Sequence, residues 1–138
     1  MLLVRDIRTL FADYASYHQT KGNKWFHRFG IPIIMLTGIG MLARVPFAAI
    51  ALIVFAEIIY AMLDWRLAAI MLFVSAGFYF LGAWIPFWIN VGLFVLGWIL
   101  QFVGHSVYEK RSPAFLTNGL HLLVGPLWIL NDAVHIVK

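Results

Sequence analysis

The sequence predicts an all-α integral membrane protein: four transmembrane helices, an N-terminal amphipathic helix, and C-terminal re-entrant or interfacial half-helices. Hydrophobic residues make up 63% of the 138-residue chain and charged residues 12%, whereas a typical soluble domain carries about 25% charged residues. Long uncharged runs are separated by short charged turns. So few charges cannot cover a soluble surface, and the length fits a single membrane domain, residues 1–138.

Composition also excludes several classes of protein. The chain has no cysteine, which excludes a disulfide framework and thiolate chemistry. Its start lacks the basic n-region and cleavage pattern of a secretory signal. The net charge of +4 is better explained as an orientation signal in a membrane than as a nucleic-acid footprint. No nucleic-acid partner is therefore expected.

Residues 2–18 are predicted to form an amphipathic helix lying along the membrane interface. Its stripe recurs at spacings of three and four: Leu3, Ile7, Leu10, Phe11, Tyr14 and His18. His18 is therefore expected to point inward with the apolar face, and a membrane-surface histidine is the alternative. The segment 21–23 is expected to break the helix.

Four apolar segments follow, and each is predicted to cross the bilayer. The predicted spans are 29–43, 46–63, 67–84 and 87–104. The first, at about 1.5 Å per residue, is short for a hydrocarbon core of about 30 Å, so its flanking arginines must snorkel or the helix must extend. Pro86, flanked by two tryptophans that suit a membrane interface, is the predicted turn between the last two spans.

The C-terminal region is predicted to contain two short apolar half-helices, 113–124 and 126–137, split by Gly125-Pro126. Each is about half a bilayer long, which favours a re-entrant or interfacial hairpin. Ser112-Pro113 fits an N-cap followed by proline at the first helical position. A single broken fifth span is the alternative.

Basic residues predict the orientation. With four spans, one side holds Arg5, Arg8, Lys21, Lys24, Arg28, Arg66, Lys110, Arg111 and Lys138, and the other side holds Arg44. The positive-inside rule then places both termini in the cytoplasm, in a bacterial inner membrane or an endoplasmic reticulum.

All five histidines fall on the predicted cytoplasmic side: His18, His27, His105, His121 and His135. Imidazole suits Fe, Zn, Cu and Ni, so such a cluster is a candidate metal site. Second-shell partners share helix faces with three of them: Asn23 with His27, Gln101 with His105, and Asp132 with His135. Glu109, four residues after His105, is a candidate carboxylate ligand. Headgroup contact, helix capping or polar packing would also explain each histidine, and spacing alone does not decide.

Two blocks of the sequence resemble a known family. The first is His18, Asn23, His27, Gly30 and Pro32, which resembles H-x(4)-N-x(3)-H-x(2)-G-x-P. The second is QFVGHSVYEKRSPAF (101–115) followed by GPLWIL (125–130). The chain thus resembles the Mpo-type 2-hydroxy fatty acid dioxygenases, a family formerly known as a membrane domain of unknown function and named for a yeast protein of phytosphingosine metabolism. The likeness covers essentially the whole chain.

The resemblance implies an Fe(II)-dependent dioxygenase that shortens long-chain 2-hydroxy fatty acids by one carbon, using O2 without 2-oxoglutarate. It implies that His18, His27 and His105 are catalytic metal ligands, and His121 is added as a fourth ligand. Supporting or substrate-contacting residues are then expected to be Asn23, Gln101, Glu109, Lys110 and Arg111. The two basic residues, or Arg28, would steer the substrate carboxylate, with membrane anchoring as the alternative. The acyl tail would lie between the spans in the lipid bilayer.

Two other function classes stay open. A metal or proton transporter would use the histidines and Glu57, an acid inside the second predicted span. The third and fourth spans offer it few polar residues: Ser75, Tyr79, Asn90 and Gln101. A non-enzymatic membrane scaffold would bind no metal at all.

Overall fold

A computed structural model describes residues 6–138, and no strand occurs within that range. The helices are α1 (Ile7–Ser16), α2 (Lys21–Leu42), α3 (Ala48–Leu63), α4 (Trp65–Trp84), α5 (Phe87–Val103) and α6 (Leu120–Val134). A π-helical turn, Gly104–Glu109, continues α5, and a short 3-10 turn, Ala114–Leu116, precedes α6. The all-α prediction is confirmed for these residues. Residues 2–5 of the predicted amphipathic helix lie outside the described range.

Helices α2 to α5 run between two ends of the molecule. Glycine contacts show that α2 and α5 are antiparallel, because Gly104 lies against Asn23 and Gly30 lies against Gly97. The ends of α2 and α4 meet instead: a Cβ added at Gly40 would lie 2.6 Å from the carbonyl oxygen of Gly82. The start of α2 and the end of α5 therefore form one end, here the histidine end. The end of α2 and the α4–α5 turn form the other, here the Arg44 end.

Three helices are long and apolar enough to cross a membrane: Lys21–Leu42, Trp65–Trp84 and Phe87–Glu109. Helix α3 also connects the two ends, but its 16 residues reach only about 24 Å at about 1.5 Å per residue. A hydrocarbon core is about 30 Å thick. The prediction of four spans is therefore supported for three of them, and the span 46–63 is not confirmed.

The start of α2 corrects the prediction that residues 21–23 break a helix. The break comes earlier, and Lys21 is the first residue of α2. Thr20 is the N-cap, and its hydroxyl accepts a hydrogen bond from the backbone N–H of Asn23. A threonine cap satisfies one of the free N–H groups of a first turn, so the polar KGN segment starts this helix. The first predicted span is therefore longer than 29–43. Of the two predicted solutions to its short length, snorkelling arginines or an extended helix, the structure has the extended helix.

Helix α1 confirms the predicted apolar stripe within the described residues. Its buried side chains are Ile7, Leu10, Phe11 and Tyr14, and they pack against α6. The helix ends at Ser16, so His18 lies in the turn that follows rather than on the helix. His18 is nevertheless buried, as the stripe predicts.

The prediction of two half-helices split at Gly125-Pro126 is wrong. Helix α6 runs through Pro126 without interruption, and Pro113 precedes only the 3-10 turn. Proline removes one backbone hydrogen bond, here the one to the carbonyl of Leu122, and a helix tolerates this where groups of neighbouring helices support the turn. The hydroxyl of Tyr60 in α3 donates to the carbonyl of Leu123, 2.9 Å away and one turn before the proline. Helix α3 thus supports α6 at this position.

At the Arg44 end, the Arg44 side chain connects the ends of α2 and α4 through hydrogen bonds to backbone carbonyls. The Arg44 guanidinium donates to the carbonyl oxygens of Gly40 at 2.6 Å and of Ala83 at 3.4 Å, and it also contacts the Ile85 carbonyl. These carbonyls are left free where α2 and α4 end. The predicted turn at Pro86 is confirmed, since α5 begins directly after it.

Candidate metal centre

Three histidines converge at the histidine end. His18 comes from the α1–α2 turn, His27 from the second turn of α2, and His105 from the π-helical turn after α5. One ring nitrogen of each lies within 4.8 Å of the chosen nitrogens of the other two. Their exposed fractions are only 2%, 3% and 2%. Among the described residues, these are the histidines that the structure places as a group able to hold one metal ion.

Small residues allow this convergence. At Gly104, directly before His105, a Cβ would collide with the side-chain oxygen of Asn23 and lie 3.1 Å from the Cβ of Phe26. At Gly97, one would lie 2.7 Å from a side-chain carbon of Ile34. Glycine therefore lets α5 approach α2 closely enough for His105 to reach His27. The π-helical turn sits at this point, as such turns often do at functional sites.

Hydrogen bonds to the backbone orient two of the rings. His18 Nδ1 lies 2.7 Å from the carbonyl oxygen of Tyr14, and His27 Nδ1 lies 2.9 Å from that of Asn23. A carbonyl oxygen only accepts, so each Nδ1 must carry the proton. The lone pair of each ring is then on Nε2, which is how metal-binding histidines are commonly held. The Nε2 of His18 is buried with no hydrogen-bond partner.

The rings of His27 and His105 contact each other directly. Their Nε2 atoms lie 3.1 Å apart. Because the Nε2 of His27 is an acceptor, the contact needs either a proton donated by His105 or a cation between the rings. The Nδ1 of His105 is also buried without a partner. Buried polar atoms are rarely left unpaired, so converging imidazole lone pairs fit a transition-metal ion.

Burial keeps His18 neutral. Burial is the largest cause of a fall in the pKa of His18 from 6.5 to about 4; the hydrogen bond to the Tyr14 carbonyl opposes this fall and the nearby His105 adds to it. Since a metal binds only the neutral ring, His18 is ready to act as a ligand at pH 7.

His121 lies nearby on α6 but outside the group of three. Its Nε2 is 3.0 Å from the Oδ2 of Asp13, and its Nδ1 is buried without a partner. It lines the same chamber as the three histidines. Its role as a fourth ligand stays a prediction. Sequence reasoning missed Asp13, which is 108 positions away, because nothing in the pattern joins α1 to α6.

The predicted supporting residues have different contacts. Asn23 supports His27 through its backbone carbonyl, while its side-chain amide donates to the carbonyl of Tyr17. Gln101 is buried, lines the chamber and donates to the carbonyl of Phe26.

Glu109 does not reach the histidines. Its carboxylate accepts hydrogen bonds from the backbone N–H of Thr20 at 2.7 Å and from its hydroxyl at 3.0 Å. The prediction of a carboxylate ligand assumed α-helical spacing from His105. The π-helical turn changes that spacing, so residues four apart no longer share a face. Glu109 instead caps the start of α2.

Two of the basic residues at this end, Arg28 and Arg111, have partners. Arg28 forms an ion pair with Asp132 at 2.8 Å, so Asp132 does not support His135, which lies exposed beyond α6. The Arg111 guanidinium lies 3.6 Å from the centre of the Tyr17 ring. Lys110 is exposed. Carboxylate steering by these residues stays a prediction.

A chamber of about 240 Å³ adjoins the three histidines. Its remaining walls are mainly apolar and include Ile31, Ile34, Trp98, Phe115 and Leu122. Most ligand sites combine apolar walls with a few convergent polar groups. This chamber therefore fits a molecule with a small polar head and an apolar body.

The fold and the site together define an α-helical protein with three helices long and apolar enough to cross a membrane and a buried group of three histidines. Residues 4–136 match the family described as 2-hydroxy-palmitic acid dioxygenase Mpo1-like, and the chain belongs to this family. The chain is 30% identical over 135 residues to the 2-hydroxy-palmitic acid dioxygenase MPO1 of Saccharomyces cerevisiae, covering 91% of this chain and 78% of the yeast protein. No solved structure matches. The predicted family resemblance is confirmed.

Proposed function

We propose that this protein is an Fe(II)-dependent dioxygenase that converts long-chain 2-hydroxy fatty acids to the acid one carbon shorter. The observation that carries the proposal is the group formed by His18, His27 and His105, with its buried, unpartnered ring nitrogens beside an apolar chamber. Family membership and the name of the yeast relative support a dioxygenase of hydroxy fatty acids.

The reaction balances with O2 as the only co-substrate. One O2 and R-CHOH-COOH give R-COOH, CO2 and water, so no 2-oxoglutarate is consumed. A 2-hydroxy acid offers two chelating groups, its carboxylate and its α-oxygen. Bound iron would supply the oxygen chemistry.

The residues of the chain would hold and shield that centre. His18, His27 and His105 would bind the metal, with His121 as a fourth ligand because Asp13 holds its Nε2 and leaves its Nδ1 free. The carbonyls of Tyr14 and Asn23 keep the protons of two rings away from the metal side. The apolar walls exclude water, which strengthens electrostatic interactions inside the site.

Turnover by purified, iron-loaded protein tests the proposal. With O2, 2-hydroxypalmitate should give the acid one carbon shorter, and palmitate should be inert because it lacks the α-oxygen. Omitting 2-oxoglutarate should change nothing. Comparable turnover of palmitate would contradict the chelation mechanism, and no turnover of any 2-hydroxy acid by iron-loaded protein would contradict the activity.

We also propose that both termini face the cytoplasm. The basic residues that start α2 and α4 and follow α5 all lie at the histidine end, and Arg44 lies at the other. Reporters fused to either terminus should read cytoplasmic. A C-terminal reporter on the opposite side would contradict this orientation.

A transporter is less well supported. Between the two ends, the buried polar side chains of the described residues are Thr37 and Ser75. The Thr37 hydroxyl donates to the carbonyl of Ile33 in its own helix. Glu57 has one buried oxygen without a partner, and Tyr60 bonds Leu123 rather than this acid. These groups form no connected path to the histidines.

A further inference from the structure

A second, larger chamber adjoins the first. Its volume is about 460 Å³, and it is called here the deep chamber. Three residues, Ile34, Met35 and Pro126, line both chambers. The chamber beside the histidines is therefore adjacent, along this shared wall, to an apolar chamber that extends toward the Arg44 end.

One face of α2 lines both chambers. From the histidine end, the lining residues are His27, Ile31, Ile34, Gly38 and Leu42. Their spacings of three and four residues place them on a single face of the helix. From His27 to Leu42 is 15 residues, which at about 1.5 Å per residue is about 22 Å.

We propose that this face of α2 is a ruler for acyl-chain length, with the tail of the hydroxy fatty acid running from the histidines into the deep chamber. The proposal rests on the function proposed above and adds which residues select the chain. A carbon–carbon bond of about 1.5 Å at an angle of about 111° advances about 1.25 Å along an extended chain. A route of about 22 Å therefore accommodates about 18 carbons.

The chemistry of the deep chamber fits a hydrocarbon tail. Its walls are mainly apolar, including Ile53, Ala56 and Phe94. The hydroxyl of Tyr60, one of its few polar groups, is already bonded to the carbonyl of Leu123. A tail there would leave no polar partner unsatisfied at this residue, whereas a polar ligand would find few groups to bind.

Gly38 marks an intermediate depth on the ruler. It lies 11 residues from His27, which is about 16 Å along the helix and about 13 carbons of extended chain. A Cβ at Gly38 would lie 3.4 Å from the Phe94 ring, an ordinary contact. A larger side chain is therefore compatible with the backbone, but it would occupy the deep chamber.

Competition between chain lengths tests the ruler. Iron-loaded wild type and Gly38→Leu receive an equimolar mixture of 2-hydroxy acids of about 10 to 18 carbons, and products are quantified by mass. In Gly38→Leu, the ratio of turnover at 18 carbons to that at 10 carbons should fall by about tenfold or more, because overfilled apolar sites reject extra carbons. Leu42→Trp, at the far end of the ruler, should lower the turnover of only the longest 2-hydroxy acids.

A matched control uses the same substitution elsewhere. Gly92 is exposed on α5, with nothing within 4 Å of an added Cβ, and it lines neither chamber. Gly92→Leu should keep the wild-type profile. An unchanged profile in Gly38→Leu, with turnover of 10-carbon acid retained, would overturn the ruler while leaving the proposed activity intact.

A second measurement locates the bound acyl tail by photolabelling and does not depend on turnover. A 2-hydroxy acid with a photoreactive diazirine at about carbon 12 should label peptides containing Gly38 or Phe94, and an excess of unlabelled 2-hydroxy acid should prevent this. Labelling confined to outward-facing residues such as Phe73, which is 80% exposed, would overturn the ruler. If labelling succeeds and no acid is turned over, the proposed reaction fails and the tail site stands.

Discussion

The two ends of the bundle bury polar groups in opposite ways. At the Arg44 end, the donors of Arg44 and Asn90 pair with backbone carbonyls, including that of Gly82, 2.8 Å from the Asn90 amide. One buried oxygen there, Oδ1 of Asn90, lacks a partner. At the histidine end, buried nitrogens of three histidines lack partners: His18, His105 and His121.

This difference separates polar groups that stabilise the fold from buried ring nitrogens that have no protein partner and could bind a ligand. A donor facing a free carbonyl compensates the cost of its own burial. Imidazole lone pairs that face one another do not compensate the cost of their burial unless a cation lies among them. The same helices, α2 and α5, reach both ends, so the contrast arises from the side chains and not from a different architecture. Substitutions at the two ends should therefore affect different properties.

The largest effect is expected at the histidine end. His18→Ala, His27→Ala and His105→Ala should each lower turnover of a 2-hydroxy acid by about a hundredfold or more, above the loss of about 10–100-fold typical of outer-shell partners. His121→Ala should cost less, about tenfold, because its ring lies outside the group of three. Steady-state turnover at saturating iron measures this. Equal losses in all four variants would make His121 an equal ligand.

At the Arg44 end, Gly82→Ala should lower stability without altering the metal site. Its Cβ would lie 2.6 Å from the Cα of Gly40 and from the carbonyl oxygen of Leu36, neither of which can move freely. The overpacking should cost about 1–3 kcal/mol in the free energy of unfolding, measured in detergent. Gly77→Ala on the same helix is the control, because nothing lies within 4 Å of its Cβ. Equal stability of the two variants would contradict the close α2–α4 contact.

The smallest effect is expected from the carboxylate that caps α2. Glu109→Gln keeps an acceptor for Thr20 but removes a negative charge from a helix N-terminus, worth about 0.3–1 kcal/mol. Because Thr20 lies between His18 and His27, iron affinity should also fall, by about tenfold. Asp64→Asn is the control, since Asp64 is a carboxylate at the start of α4, where it accepts from the backbone N–H groups of Arg66 and Leu67. If both variants bind iron equally well, Glu109 supports only the helix.

Local pattern accounts for much of what the sequence predicted. The long uncharged apolar run and the turn at Pro86 located the helices α4 and α5, and the stripe that includes Tyr14 predicted the burial of His18. The family resemblance selected His18, His27 and His105 among five histidines. The helix and burial predictions depend on patterns within one segment, where the chain itself determines which residues share a face, whereas the choice of histidines came from the resemblance.

The remaining features depend on contacts between segments. Pro126 does not split α6, and the hydroxyl of Tyr60, from another helix, supports the turn before it. Glu109 pairs with Thr20, and the helix changes from α to π at Gly104, which alters its spacing from His105. The pairing of Asp13 with His121 joins α1 to α6. No periodicity within a single segment predicts such contacts, since each depends on how the helices pack.

The central claim is that His18, His27 and His105 hold iron, and metal content after purification with Fe(II) under anaerobic conditions tests it most directly. Wild type should carry about one iron per chain, and alanine at any of the three positions should remove it. His135→Ala is the matched control, because His135 is exposed beyond α6, and it should keep full occupancy. Full iron occupancy in all three alanine variants would contradict the account.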